Sequence, residues 1–234
     1  MMMMGFNGMS IPETSVNGIY DYDLVVIGGG SGGLAASKQA RDINKNLKIA
    51  IFDYVKPTSH GTTWGLGGTC VNVGCIPKKL FHYAALSKHQ FFDMEAVGHE
   101  FKDHSHNWES MVENVDNYLL ALQYAYQNAM SDKGIKYFNA YASLKDQHTI
   151  SFQEEGKDEP SLITADKIIL AVGGRPKYPD IPNATLGISS DDIFWWKQPI
   201  GKTLVIGASY IALECAGFLH GLGKDTSIMV RSIV

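Results

Sequence analysis

Cysteine is scarce in this chain, with three in 234 residues, and that excludes a disulfide-stapled secreted scaffold and points to a reducing compartment. Two of the three, Cys70 and Cys75, stand close together, while Cys215 is far away and no histidine follows at ligand spacing, so a zinc centre is disfavoured and no metal is expected. Runs of like charge are missing as well. Twenty basic and 24 acidic residues give a net charge of −4, which suggests neither a nucleic-acid surface nor a membrane surface. No stretch approaches the roughly 18 apolar residues of a bilayer span. Residues 1–18 are rich in methionine, glycine and asparagine and lack both a basic region with an apolar run and an arginine-rich amphipathic pattern, so they read as a flexible tail.

What remains is a chain built to bury a core, since 45% of it is hydrophobic and its length allows one large or two small domains. Its most pointed stretch runs Thr69-Cys70-Val71-Asn72-Val73-Gly74-Cys75-Ile76-Pro77-Lys78-Lys79. In a regular helix, Cα atoms five residues apart lie about 8–9 Å from each other, beyond the ~4.4–6.8 Å that a disulfide tolerates. A paired Cys70 and Cys75 therefore require a break in the helix, which Gly74 permits. Pro77 suits the first turn of a helix running on through Lys88, with Cys70 on an irregular stretch before it. Sulfurs at such a helix start, beside two lysines, are favoured as thiolates. Standing alone, the pair would read as unpaired core thiols or a static crosslink rather than as a catalytic dithiol.

Its surroundings favour redox chemistry. Asp23-Leu24-Val25-Val26-Ile27 reads as a buried parallel strand that enters Gly28-Gly29-Gly30-Ser31-Gly32-Gly33 and then a helix from Leu34 to Arg41. Glycines at 28, 30 and 33 allow a tight turn, close approach of backbone N–H groups to a pyrophosphate, and packing of helix on strand. A second strand, 47–52, ends on Asp53, 20 residues past Gly33, where the ribose of a dinucleotide needs an acceptor. A glycine-rich loop in some other α/β fold is the alternative reading. Residues 56–68 form a loop with Trp64 and four glycines that leads into the cysteine pair.

From Trp108 to Met130 the apolar positions keep helical period over six turns, the pattern of a core helix whose tyrosines at 118, 124 and 126 belong to a packed face. His104 and His106 fall in a polar stretch and read as solvated loop residues. Strands are expected at 135–142, at 148–153 with 161–164 as a small antiparallel excursion around the polar turn 154–160, and at 167–172. Gly173-Gly174-Arg175-Pro176 then marks a boundary. The expected organisation is a tail at 1–18, a dinucleotide-binding domain at 19–174 and the start of a second one at 175–234.

That second unit repeats the first. Thr203-Leu204-Val205-Ile206 precedes Gly207-Ala208-Ser209-Tyr210-Ile211-Ala212, with Ser209 and Ala212 in the second and third glycine places, and the strand 226–230 ends on Arg231-Ser232 in place of an acid. A cation and a small hydroxyl there suit the extra phosphate of NADPH, although a solvated strand-end arginine reads the same way. Two dinucleotide units around a dithiol point to a relay from nicotinamide to flavin to disulfide.

The glycine turn at 28–33, the run Trp64-Gly65-Leu66-Gly67-Gly68-Thr69-Cys70 through Lys79, Ile188-Ser189-Ser190-Asp191-Asp192, and Gly207 through Gly217 together resemble the high-molecular-weight thioredoxin reductases of animals, within the pyridine nucleotide-disulfide oxidoreductases. The resemblance extends from about Tyr20 to Val234. It implies an α/β fold, a Rossmann-like FAD-binding domain with a parallel sheet and a small antiparallel excursion, followed by an incomplete Rossmann-like NADPH domain. It implies FAD and NADPH as cofactors, thioredoxin as protein substrate, a homodimer, and a cytoplasmic or mitochondrial location.

Carried over residue by residue, the resemblance makes Cys75 the thiolate next to the flavin and Cys70 the interchange thiol. Gly28, Gly30, Ser31, Gly32, Gly33, Asp53, Thr69, Tyr141 and Ala142 would touch FAD. Lys78 would approach the flavin and pair with Glu214, Tyr210 would cover the ring system until nicotinamide displaces it, and Tyr126 would lie near the dithiol. Gly207, Ser209, Tyr210, Ile211, Arg231 and Ser232 would receive NADPH. The family continues through a dimer-interface domain with a His-Glu acid–base pair and a C-terminal redox motif. This chain stops at Val234, so it reads as part of a longer protein and as inactive by itself. Glutathione reductase, thioredoxin–glutathione reductase and a non-catalytic flavin-binding protein are the alternatives.

Overall fold

The computed structural model describes residues 9–102, 105–153 and 159–231. Most of the polar turn expected at 154–160 lies outside the described residues, as do His104 and Ser232. The chain divides into two compact units, Met1–Asn72 with Leu120–Arg175 and Val73–Leu119 with Pro176–Val234. It is mixed α/β, and its larger sheet is mostly parallel.

In the first unit that sheet contains β1 (Tyr22–Ile27), β2 (Ile49–Asp53), β3 (Lys136–Asn139), β4 (Ala142–Leu144), β5 (Thr149–Phe152) and β6 (Ser161–Leu170), in the order β3-β2-β1-β6-β5-β4. β1 runs parallel to β2 on one side, with Val25 opposite Ala50, and parallel to β6 on the other, with Val25 opposite Ile168. A central parallel strand is covered on both faces, which is why its sequence is continuously apolar. Leu24 and Val26 pack with Leu34, Ile49, Ile51 and Met130 on one side, while Val25 and Ile27 pack with Ala50, Phe52, Ile150 and Phe152 on the other. Phe52 stacks on Phe138 with ring centroids 4.6 Å apart, closing the second face.

β6 corrects the expectation of two separate strands at 161–164 and 167–172. It is a single ten-residue strand whose first half pairs antiparallel with β5, from Ser161 to Thr164, and whose second half pairs parallel with β1. The strand expected at 135–142 is likewise divided, since β3 stops at Asn139 and Ala142 opens β4.

Residues 9–18 are tied to this unit through several contacts. Arg41, only 2% exposed, donates to the carbonyls of Lys133, Leu47 and Ser10, the Met9 N–H donates to the Asp132 carbonyl at 2.8 Å, and the Val16 N–H donates to Asp23 Oδ1 at 2.8 Å.

Six helices follow the described chain: α1 (Ser31–Ile43), α2 (Gly68–Val73), α3 (Cys75–Ala96), α4 (Trp108–Asp132), α5 (Ser190–Ile193) and α6 (Tyr210–Gly221). The part of α4 up to Leu119 belongs to the second unit and the part from Leu120 to the first. Buried Phe81 of α3 organises the second unit, meeting Trp108, Phe194 and Phe218 edge-on at centroid distances of 5.4, 5.3 and 5.1 Å. β7 (Thr203–Ile206) and β8 (Thr226–Met229) form a parallel pair beside α6. No described helix is long and apolar enough to cross a membrane. Helical period placed the tyrosines of α4 on a packed face. Tyr118 and Tyr124 are instead 50% and 66% exposed, and only Tyr126 is half-buried.

Candidate functional site

The glycine turn between β1 and α1 closes backbone on backbone. A Cβ at Gly28, whose φ is +115°, would stand 2.1 Å from the Ala171 carbonyl oxygen, and one at Gly33 would stand 1.8 Å from the Gly28 carbonyl oxygen. These two glycines are therefore required by the fold. Gly30 and Gly32 are not, because an added Cβ would find only ordinary contacts at 3.6 and 4.0 Å. The middle of the turn is left open. Ser31 and Gly32 are exposed, and α1 begins after Gly30 without any side chain capping its free N–H groups. An uncapped helix start behind an open glycine turn is the surrounding an anionic phosphate requires.

Asp53 ends β2 beside this turn. Burial raises its carboxyl above the ordinary value, while the backbone N–H groups of Gly29 and Tyr54 act the other way. Its charge also reaches Tyr137, whose hydroxyl is pushed up to about 12, mainly by burial. A half-buried carboxylate at the end of the second strand fits a ribose hydroxyl as partner. Tyr141 is exposed and meets Tyr54 edge-on at 6.0 Å, with Ala142 half-buried next to it.

The loop before the cysteines is fastened to the same turn. Gly67 donates to the Gly29 carbonyl at 3.0 Å, and a Cβ on Gly68, with φ +70°, would stand 2.5 Å from the Cα of Gly30. Only glycine allows α2 to begin so close to the turn. Thr69 is exposed at that start and Cys70, in the third position of α2, is half-buried. The expectation of an irregular stretch around Cys70 is thus corrected, since the residues from Gly68 to Val73 are helical and the irregularity is confined to Gly74.

At Gly74, φ −144° and ψ −117° interrupt the helix, as the five-residue spacing requires. α3 then starts on Cys75, which puts Pro77 in its first turn as expected, and runs through Lys88 to Ala96. Proline is accepted in the first turn because its missing N–H has no partner there in any case. Cys75 is exposed at the first helical position, and no side chain caps this helix either. The contrast is α5, where Ser189 and Asp192 form a full capping box. The Ser189–Asp192 motif is thereby explained structurally, with Asp191 and Asp192 buried.

One turn along α3, Lys78 Nζ donates to Glu214 Oε1 of α6 at 2.7 Å. The lysine is held above its ordinary value, first by that hydrogen bond, against burial as the next largest effect, and further by the charges of Glu214, Cys75 and Tyr210. Cys75, Glu214 and Tyr210 thus all act on Lys78 within the second unit. Tyr210 is 72% exposed as the first residue of α6, which also starts without a side-chain cap after Ser209. Gly207 sits at φ +123°, where an added Cβ would meet only the Cβ of Ala212 at 3.8 Å, Ile211 is exposed on the first turn, and Arg231 is exposed after β8. Ser232 lies outside the described residues. Cys215 is buried, and its thiol is pushed up to about 12 by desolvation and by Glu214, which makes it inert.

In the first unit Tyr126 has Lys38 of α1 over its ring at 5.8 Å. Sequence reasoning missed three features for which no local signal exists. Asn72 and Gln123 are bonded through their amides at 2.6 Å, Arg175 stacks on Trp64 at 4.6 Å, and Asp116 is buried in α4 with Oδ1 lacking a hydrogen-bond partner. His106, expected in solvent, is half-buried with its imidazole pushed below the ordinary value by desolvation and then by Lys224 and Lys88.

Residues 22–233 match the family model described as pyridine nucleotide-disulphide oxidoreductase. Among curated proteins, the chain is 55% identical over 213 residues to a thioredoxin reductase, SEP1, of Emiliania huxleyi, covering 91% of this chain and 42% of that one. It is 48% identical to the mitochondrial thioredoxin reductase 2 of Drosophila melanogaster, covering 92% of this chain and 42% of that one. To a thioredoxin reductase of Plasmodium falciparum it is 47% identical, covering 92% and 40%. The chain thus spans about two fifths of the length of these relatives.

Proposed function

Since the chain belongs to the pyridine nucleotide-disulphide oxidoreductases, we propose that the whole protein reduces the disulfide of thioredoxin, taking electrons from NADPH through FAD to a Cys70–Cys75 disulfide. The observation that carries this reading is the placement of Cys75 at the first position of an uncapped helix, with the Lys78–Glu214 pair one turn away. The open turn at Gly30 and Gly32, the uncapped start of α1 and the half-buried Asp53 fit the pyrophosphate and a ribose of FAD.

Bound there, FAD would supply to the disulfide the two electrons that the nicotinamide delivers as hydride. Those two electrons, with one proton, open the S–S bond into a thiol at Cys70 and a thiolate at Cys75. Cys75 then holds a thiolate against the uncapped N–H groups of α3 and the charge of Lys78. Glu214 keeps Lys78 protonated and in place. Cys70, on the separate helix α2, is the sulfur left to attack the incoming disulfide. Arg231 and the uncapped start of α6 favour the phosphates of NADPH. Thioredoxin as the acceptor is supported by the names of the relatives, and a homodimer by the resemblance. A reducing compartment, cytosol or mitochondrion, is supported by the scarcity of cysteine.

The test is anaerobic titration of the complete protein with NADPH, followed by alkylation and peptide mapping. Cys70 and Cys75 become alkylated only after NADPH is added, and thioredoxin re-oxidises them. Cysteines that alkylate equally with and without NADPH overturn the reading.

A further inference from the structure

Asn72 is fully buried two residues after Cys70, and its side-chain amide bridges the turn that leads into α2. Its Nδ2 donates to the Gly68 carbonyl at 2.9 Å and to the Gly65 carbonyl at 3.3 Å. Its Oδ1 accepts from Nε2 of Gln123 at 2.6 Å, and Gln123 is itself 8% exposed on α4. The glutamine reaches that position only because residue 65 lacks a side chain, since a Cβ there would stand 2.5 Å from Gln123 Oε1. Two buried amides therefore clamp both ends of the segment 65–72, and a long helix anchors them.

We propose that Gln123 and Asn72 are positioning residues that hold α2, and with it Cys70, in one arrangement whether or not its sulfur is bonded, and so set the balance between the Cys70–Cys75 disulfide and its dithiol. The inference rests on the redox reading of that pair. A segment already held in place gives up little conformational freedom when the S–S bond closes. Without the clamp the opened form explores conformations that the closed form cannot share, and the balance moves toward the dithiol. A partner left unsatisfied in a dry site also favours local opening of the turn. The effect of the two amides passes through the backbone of α2.

The experiment equilibrates the complete protein, with its FAD, against dithiothreitol buffers, in which one S–S bond opens as one closes, and counts thiols at Cys70 and Cys75. Gln123→Leu removes the donor at similar volume, whereas Gly65→Ala keeps both amides and pushes Gln123 off Asn72 from the other side. Both variants are expected to shift the equilibrium toward the dithiol by roughly five- to tenfold, with FAD content unchanged. An unshifted equilibrium in either variant that retains its FAD overturns the proposal. If both lose FAD, the segment serves only the fold, and the proposal is overturned as well. Unaltered protein in which Cys70 and Cys75 form no reversible disulfide contradicts the underlying redox reading instead.

Discussion

Lys78 Nζ and Glu214 Oε1, from residues 136 apart in the chain, are hydrogen bonded at 2.7 Å and join α3 to α6. The lysine sits one turn after Cys75, so the pair fixes the charge that faces the thiol. Its pKa is raised in the folded state, so the stabilisation is complete below the unfolded value near 10.5 and is lost as pH rises through the folded one. Glu214→Gln is expected to lower the thermal midpoint at about pH 8, by the equivalent of ~0.5–1 kcal/mol for a partly exposed pair, with the difference lost as pH rises through the raised value of the lysine. A midpoint equal to that of the unaltered protein at about pH 8 contradicts the assignment.

Asp116 is shifted in the opposite direction to a carboxylate held by an ion pair. Burial pushes it up to about 6, with Glu113 adding to the rise and Lys197 opposing it. The folded pKa lies above the unfolded one, so Asp116 favours the fold when protonated at low pH and works against it once pH rises through about 6. Asp116→Asn is expected to stabilise the protein at about pH 8, by on the order of 2 kcal/mol, and to change little near pH 4. Urea unfolding at the two pH values measures this, and a stability loss at about pH 8 would count against it.

How much of this was legible in the sequence differs from element to element. β1 was, because a strand covered on both faces must be apolar throughout, and the break at Gly74 followed from the Cα spacing that a disulfide demands. β6 was divided in error just ahead of Lys167, where Asp166 and Lys167 stand as a polar pair in its apolar pattern. Their side chains are 33% and 75% exposed, so the polar pair sits on the strand without breaking it. Helical period found α4 but not the depth of its burial, which depends on what covers each face, and Tyr118 and Tyr124 turned out exposed. Arg41 and Gln123 had no signal at all, because apart from the Leu47 carbonyl the groups that satisfy them lie far away in sequence.

Asp53→Ala is expected to weaken FAD retention in the complete protein by about 1.5–3 kcal/mol, the value of a charge-assisted hydrogen bond to a ribose hydroxyl. Flavin occupancy after dialysis reads this directly. Unchanged occupancy removes Asp53 from the site.

Arg231→Ala should raise KM for NADPH far more than for NADH, because only the former carries the phosphate that a guanidinium holds through two parallel hydrogen bonds. Steady-state kinetics with both nucleotides decide it. Equal effects on the two would remove the preference for NADPH.

The account turns on the two cysteines being unequal, with Cys75 at the uncapped start of α3 near Lys78 and Cys70 inside α2. The most direct measurement is the long-wavelength thiolate–flavin absorption band of the complete protein, recorded anaerobically at about pH 8 in single variants. Cys70→Ser should retain the band and Cys75→Ser should abolish it, while both stop disulfide reduction. A band in the Cys75 variant, or in neither, contradicts the account.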